Sequence, residues 1–459
     1  MLVDKFAEYA VATRTVALPA EVMHAAKRCV IDWFAATIPG GMLPPASLLV
    51  AALGEDIDRG AAMLVPSGHR VSARTAALIN GSAAHTVEFD DIFRDAIYHP
   101  GASVIAAALV AAQSRHVSGD QFLRGIIAGY EISTRIGVAV TPTHYEYWHT
   151  TGTVGTFGAA MAAAMILGLD SARAAHALAN AGTMAAGLQQ AFRSDAMSKP
   201  LHAGRAAETG VLVALAAEQG VTGAKDILEG PRGFGAAMSK DADWYGAFAD
   251  LSARSRYNIT RMTQKNHGCC GHTFAAVDGV IALRQQHKLS AANVKRITVG
   301  TYAKALEITG NLKPRTAFEA KFSLPYCAAV ALLTGQVRLD AFSPERLTDP
   351  QVRQVMASIE LQVDPEINAT FPRQRAAMLE IETTDGNTYR HHSPTRKGDP
   401  DNPLTDEELT AKYQELAVPV IGDTAADQLL ATLWELDKLD DIAALRLTTA
   451  GASTAEPSG

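Results

Sequence analysis

The stretch "GTFGAAMAAAMILGLD", residues 155–170, is where the fold is decided. From Thr150 to Leu169 no side chain is charged, and about 20 apolar residues are long enough to cross a bilayer. The content, however, is glycine, alanine and threonine, which partition weakly into lipid. Alanine is the strongest helix former, and small side chains let helices approach closely. The segment therefore predicts a helix buried in a protein core, and no membrane partner is expected. Gly152, Gly155 and Gly158 form G-x-x-G-x-x-G, but no strand precedes them, so close helix packing is expected rather than a dinucleotide fingerprint.

Outward from this segment the apolar residues keep three- and four-residue steps, as amphipathic helices require. "AAKRCVIDWFAATI" (25–38), "VSARTAALINGSAAHTVEF" (71–89), "ASVIAAALVAAQSR" (102–115) and "DQFLRGIIAGYEISTRIG" (120–137) lie before it. "SARAAHALANAGTMAAGLQQAF" (171–192) and "GRAAETGVLVALAAEQG" (204–220) follow it. Ser118 and Asp170 stand where N-caps belong.

After about residue 290 the period changes to two. "VKRITVGTY" (294–302) and "SIELQV" (358–363) alternate as strands, and "MLEIETTDGNTYRHH" (378–392) predicts a hairpin turning at Asp385-Gly386. "EAKFSLPYCAAVALLTG" (319–335) ends in a helical run. Helix then returns: Thr405 and Glu408 make a capping-box pattern, and Leu429, Leu433 and Leu436 stripe a last helix. The expected fold is mainly α with a smaller α+β domain. Residues 1–265 with 396–447 form a discontinuous all-helical domain, 266–395 the smaller one, and 448–459 a disordered tail.

The 459 residues are enough for two or three domains. With 48% hydrophobic and 19% charged residues, a large core is available. The net charge of −7 and the lack of a long basic block exclude nucleic acid as an expected partner. Four cysteines, Cys29, Cys269, Cys270 and Cys327, do not make a disulfide scaffold in so long a chain. Asp4, Lys5 and Glu8 interrupt the start where a signal peptide would be apolar. A reducing, cytoplasmic setting is expected.

Three stretches carry polar residues in apolar company. "HTVEFDDIFRDAIYHPG" (85–101) sets four carboxylates and two histidines among Phe89, Ile92, Phe93, Ile97 and Tyr98, all of which want burial. A buried acidic cluster beside His99 would perturb pKa values; a solvated acidic loop is the plain alternative. "SKPLHAGRAAETG" (198–210) spaces Lys199, His202 and Arg205 three apart at a helix start, where backbone N–H groups attract anions. "YEYWHTTGTVGTFG" (145–158) places His149 before a Gly-rich helix start, where a structural histidine is the common case.

The fourth stretch, "KNHGCCGH" (265–272), offers His267, Cys269, Cys270 and His272. Zinc prefers turn-separated ligands such as C-x-x-C, and iron–sulfur clusters need spaced cysteines. No metal is expected there. A lysine followed by bendable polar residues at a domain junction suits the wall of a ligand cleft.

Taken in order, "HTVEFDD…HPG", "GYEISTRIG", "GTFGAA", "KPLHAGRAA", "ILEGPRGF", "KNHGCCGHT" and "AKFSLPYCAAVALLTG" resemble the MmgE/PrpD family over about residues 5–445. That family includes 2-methylcitrate dehydratase, cis-aconitate decarboxylase and iminodisuccinate epimerase. The resemblance implies a homodimer of subunits with a large helical domain and a smaller lid domain, an active site in the cleft between them, and no metal or organic cofactor. It implies that Lys199, His99, His149, Tyr326 and Lys265 are catalytic. Glu88, Asp90, Asp91, His202, Arg205, His267, Cys270 and His272 are the expected substrate contacts. Two departures bear on the substrate. The usual Asp-Phe-Asp-Asp-Thr reads Glu88-Phe89-Asp90-Asp91-Ile92, and the usual Lys-x-Tyr-Pro-Cys-Cys-Gly-His-Thr-His has His267-Gly268 for Tyr-Pro and Phe274 for the last histidine.

The reactions of this family share a carbanion alpha to a carboxylate. The site must supply a proton-transfer group, worth roughly 10²–10⁴-fold, and donors that neutralise the developing enolate. Lys199 is expected as base or enolate stabiliser, His99 as proton donor, with His149 beside it and Tyr326 orienting a carboxylate or donating a proton from the opposite face. The leading expectation is a cofactor-independent hydro-lyase on a 2-methylcitrate-like di- or tricarboxylate. The alternatives are an epimerase of an iminodisuccinate-like dicarboxylate, for which His267 is an extra base, a cis-aconitate-type decarboxylase, and a non-catalytic carboxylate-binding protein.

Overall fold

The computed structural model describes residues 1–192, 196–251 and 253–447; the expected tail, 448–459, lies outside them. The chain is mainly α-helical with a smaller α+β part. It forms two compact units: Met1–Gln264 with the chain from Thr405 onward, and Lys265–Leu404.

In the first unit the charge-free segment becomes the helix Thr150–Ile166, and every one of its residues is buried. It packs among the helices Pro100–Arg115, Gly119–Val140, Ser171–Met184 and Ser198–Glu218. The small residues set that packing distance. A Cβ on Gly155 would stand 2.6 Å from the Ser103 hydroxyl, so only glycine admits the neighbouring helix there. Among the described residues, no single helix is long and apolar enough to cross a membrane.

The caps read from sequence are present. Ser118 and Gln121 close a capping box on Gly119–Val140, Asp170 accepts from Arg173 N, and Thr405 with Glu408 boxes the start of Asp406–Ile421. Two helices are shorter than their apolar period predicts. The one expected over 71–89 is Ala73–Ala84, because the acids that follow are pulled into buried side-chain bonds that a helix would not allow. The one expected over 171–192 stops at Met184, and Gly187 then gives its carbonyl to His149 N (2.9 Å). The unit is also not purely helical. A short ribbon pairs β1 (Ala62–Met63) with β2 (Arg70–Val71); two-residue strands carry too few residues to show a period.

The second unit holds a four-stranded sheet in the order β4-β3-β5-β6. β3 (Val294–Thr301) runs parallel to β4 (Ile359–Val363) and antiparallel to β5 (Ala377–Thr383), which turns through Asp385-Gly386 into β6 (Thr388–Ser393). A parallel pair needs a crossover, and the helices between 303 and 357 supply it. Ile297 and Val299 of β3 oppose Ile381 and Leu379 of β5. All four enter one core with Phe274 and Val280 from helix Phe274–His287 and Leu324 and Val330 from Leu324–Thr334.

Candidate active site

In the first unit, helix Ala73–Ala84 ends at His85, and the chain then folds irregularly to His99, the N-cap of Pro100–Arg115. Phe89 is fully buried and pins the middle of this loop. Glu88 before it is left-handed, at φ 63°, a conformation non-glycine residues adopt only where surroundings impose it. Asp90 Oδ2 is hydrogen-bonded to His85 Nδ1 at 2.6 Å and lies at ion-pair distance, 3.1 Å, from His99 Nδ1, so both imidazoles face one carboxylate oxygen. The side chains are 0%, 2% and 14% exposed for His85, Asp90 and His99. His99 is thus the outward member of the triad and His85 its inner end.

Asp91 faces the other way. It accepts from Gly101 N (2.9 Å) and from the Tyr130 hydroxyl (2.7 Å), which ties the loop to the first turn of the helix that His99 caps. Burial first, and then the neighbouring Asp32 carboxylate, pushes its carboxyl up to about 7. The glycine of "HPG" is explained here: a Cβ on Gly101 would meet Asp91 Oδ1 at 2.8 Å and Tyr130 Oη at 2.9 Å.

His149, buried, caps helix Thr150–Ile166. Its Nδ1 is 3.1 Å from His202 Nδ1, so one ring donates and the other accepts. Desolvation, and then the charges of His85, Lys199, His202 and His99, hold His149 well below the usual imidazole range. Desolvation lowers His202 to about 4. Both rings are therefore neutral near pH 7. The four imidazoles touch in series: His99 edge-on to His85 (4.8 Å between centroids), His85 stacked on His149 (5.4 Å), and His149 tilted against His202 (5.3 Å).

Lys199 opens helix Ser198–Glu218, is buried, and forms an ion pair with Glu88. An ammonium in a first turn opposes the helix dipole; the protein's own carboxylate supplies the anion that the sequence pattern called for. Arg205 is a correction. It was expected beside Lys199 and His202, but it is exposed and paired with Glu208 on the surface. Steps of three drift by about 60° each on an α-helix, so two steps carry Arg205 roughly 120° around from Lys199.

In the second unit Lys265 is buried. His267, also buried, gives Nε2 to Asp278 Oδ1 at 2.8 Å, and Asp278 Oδ2 accepts from Lys397 N. The adjacent cysteines diverge. Cys269 is buried with its sulfur 3.1 Å from the Thr273 hydroxyl, while the half-buried Cys270 donates its backbone N–H to Lys321 O. His272 Nδ1 meets the Tyr302 hydroxyl at 2.7 Å, and desolvation holds this imidazole well below its usual range. Tyr326 lies on helix Leu324–Thr334. Its ring is fully buried in the core of the unit and its hydroxyl donates to the Ala341 carbonyl at 2.6 Å. The helix that carries Tyr326 is buried almost all round.

Both units match one family. The MmgE/PrpD N-terminal domain is found over residues 4–246 and the MmgE/PrpD C-terminal domain over 267–437. The chain belongs to the MmgE/PrpD family. A cis-aconitate decarboxylase-like protein, oryM, of Aspergillus oryzae is 27% identical over 459 residues, covering 95% of this chain and 94% of the relative. The cis-aconitate decarboxylase of Homo sapiens is 28% identical over 406 residues, 84% of this chain and 81% of its own. That of Aspergillus terreus is 24% identical over 450 residues, 93% and 91%.

The structure also brings in residues that residue patterns alone did not single out. His85 lies inside the "HTVEFDD" motif, but nothing in its spacing separates it from a histidine of a solvated loop. Asp32 and Lys412 are each 1% exposed or less; their signal was a charge flanked by apolar residues on an otherwise apolar helix face. His85, Asp90 and His99 also form a set with donor atoms within 4.8 Å of one another, close enough for a small cation. His85 is hydrogen-bonded to Asp90, and His99 lies at ion-pair distance from the same oxygen, so the three side chains partner one another.

Proposed function

We propose that this MmgE/PrpD protein is a cofactor-independent lyase acting on a small di- or tricarboxylate through a carbanion alpha to a carboxylate. The observation that carries the reading is the pairing, in one unit, of an imidazole site on a buried carboxylate with a desolvated one. His99 shares a buried carboxylate with His85, and His149 is desolvated and neutral. A carboxylate partner favours the imidazolium that a proton donor needs, whereas a neutral ring is the form that accepts a proton. Lys199, with Glu88 as its resting partner, supplies the positive charge that a substrate carboxylate recruits on binding. Lys265, His267, Cys270 and His272 are assigned to the substrate on the strength of their motif, and a homodimer is part of the same proposal.

The decarboxylase relatives favour decarboxylation. In that reaction the C–C bond electrons stay on the alpha carbon as CO₂ leaves, and His99 delivers the proton that quenches them. A hydro-lyase is the second reading, favoured by the neutrality of His149. There His149 takes the alpha proton, the electron pair forms the double bond, and the hydroxide leaves with a proton from His99. Decarboxylation needs only the donor; dehydration needs both groups.

A panel of di- and tricarboxylates in deuterated buffer tests this. Release of CO₂ with one deuterium in the product supports decarboxylation, and a rise in ultraviolet absorbance with loss of water supports dehydration. Inversion at carbon with deuterium uptake would make the protein an epimerase. Heat of binding without turnover would make it a carboxylate-binding protein. Turnover is expected to survive dialysis against a chelator; its loss would reassign His85, Asp90 and His99 as metal ligands.

A further inference from the structure

Lys412 lies on helix Asp406–Ile421, in the segment that rejoins the first unit after the second. No motif marks it. Its side chain is fully buried, with Nζ 2.6 Å from Asp32 Oδ1 and 2.8 Å from the Phe89 carbonyl oxygen, and 5.3 Å from the centre of the Phe89 ring. Phe89 sits between Glu88, the partner of Lys199, and Asp90, whose Oδ2 faces both His85 and His99. The bond to the Phe89 carbonyl therefore fixes the peptide plane that leads directly into Asp90.

Two features show that the loop needs holding from outside. Glu88 is left-handed, and such conformations persist only where surrounding structure over-determines them. Three buried carboxylates also gather here: Asp90 raises the proton affinity of Asp32, and both raise that of Asp91, so bringing the loop's acids against Asp32 is unfavourable without a cation. A buried ion pair is a poor device for stability alone, since a hydrophobic pair of similar volume serves as well or better. A backbone carbonyl held by a buried ammonium sets a position.

We propose that Lys412 is a positioning residue for the His85–Asp90–His99 triad: oriented by Asp32, it locks the Phe89 carbonyl and so places Asp90 between the two imidazoles. This rests on the reading of that triad as the proton-transfer site.

The test uses the full chain with Lys412→Met, Asp32→Asn and the double change. Thermal unfolding, amide exchange of residues 86–99 by mass spectrometry, and steady-state kinetics on the substrate found in the carboxylate panel are recorded. Lys412→Met alone strands Asp32 and lowers the melting temperature. The double variant restores most of the melting temperature but leaves faster exchange over 86–99. Its kcat falls roughly 10–100-fold, the scale of a misplaced catalytic group, with KM within about twofold. Asp32→Asn keeps the bond to Phe89 and is expected to retain slow exchange and most of kcat. Wild-type exchange and kcat in the double variant would overturn the proposal. So would an equal kcat loss in Asp32→Asn and Lys412→Met at matched folded fraction, which settles the case if the double variant does not fold. A wild-type protein that turns over no carboxylate defeats the functional reading instead, and the exchange data still decide whether Lys412 holds the loop.

Discussion

His99 is the one member of the Asp90 triad with appreciable exposure, and it is the residue on which the chemistry depends most directly. His99→Asn keeps a polar, helix-capping side chain but removes the transferable proton. It is expected to lower kcat by about 10²–10⁴-fold with little change in KM or melting temperature; a variant within tenfold of wild type would remove His99 from the mechanism. The neighbouring His202 makes a pH prediction. Its folded pKa is about 4 against the ordinary 6.5, so between those values the unfolded chain binds the extra proton. His202 therefore costs nothing above pH 6.5 and destabilises progressively as pH falls towards 4, by about 2–3 kcal/mol at the low end. Denaturant unfolding of wild type and His202→Gln should converge at pH 7, with the variant gaining relative stability as the buffer is acidified. Asp91, raised to about 7, works in the opposite sense: its contribution is largest below pH 3.8 and is lost as pH rises through 7, so only the difference between variants isolates the imidazole.

At the level of elements, the first turn of helix Pro100–Arg115 is the piece that converts loop geometry into side-chain geometry. Its Gly101 N–H and the Tyr130 hydroxyl both end on Asp91. Gly101→Ala would press a methyl against both partners. A cost of about 1–3 kcal/mol in stability and a clear loss of kcat are expected, read by denaturant unfolding and by turnover; an alanine variant as stable and active as wild type would show that the bracket is loose. The helices themselves were legible because a 3.6-residue apolar period and a cap are local signals, as Ser118, Asp170 and Thr405 illustrate. The strands of the hairpin were legible for the same reason at period two. Where the chain leaves its period, local signals fail. The helix ending at Ala84 gives way to side-chain bonds among residues 85–101, and the strands of the β1–β2 ribbon are too short to show a period. The site divides likewise. His99, His149 and Lys199 stand at helix starts in recognisable motifs. Arg205 points away from Lys199 because a side chain's direction depends on helix phase.

For the molecule as a whole, the two units differ in how the chain builds them, and this makes the last prediction. The second unit is one continuous run, Lys265–Leu404, with its own core of Phe274, Val280, Ile297, Val299, Leu324, Val330, Leu379 and Ile381. A run of this length, about 100–150 residues, can bury enough apolar surface to fold alone. The first unit cannot be made from its N-terminal part. Helix Asp406–Ile421 lies against helix Ala20–Gly41, burying Leu409, Tyr413 and Leu416 and pairing Lys412 with Asp32 and Asp406 with Arg28. A chain ending at residue 404 exposes the apolar face of Ala20–Gly41 and removes the cation that Asp32 pairs with. Expressed separately, 265–404 should unfold in one sharp thermal transition with mixed α and β circular dichroism. The 1–404 chain should keep that transition while its helical part melts broadly or aggregates. Adding back 405–447 in the same chain should restore a sharp helical transition. A broad transition in 265–404, or a sharply melting helical unit in 1–404, would mean that the units are not the independent structures their cores describe.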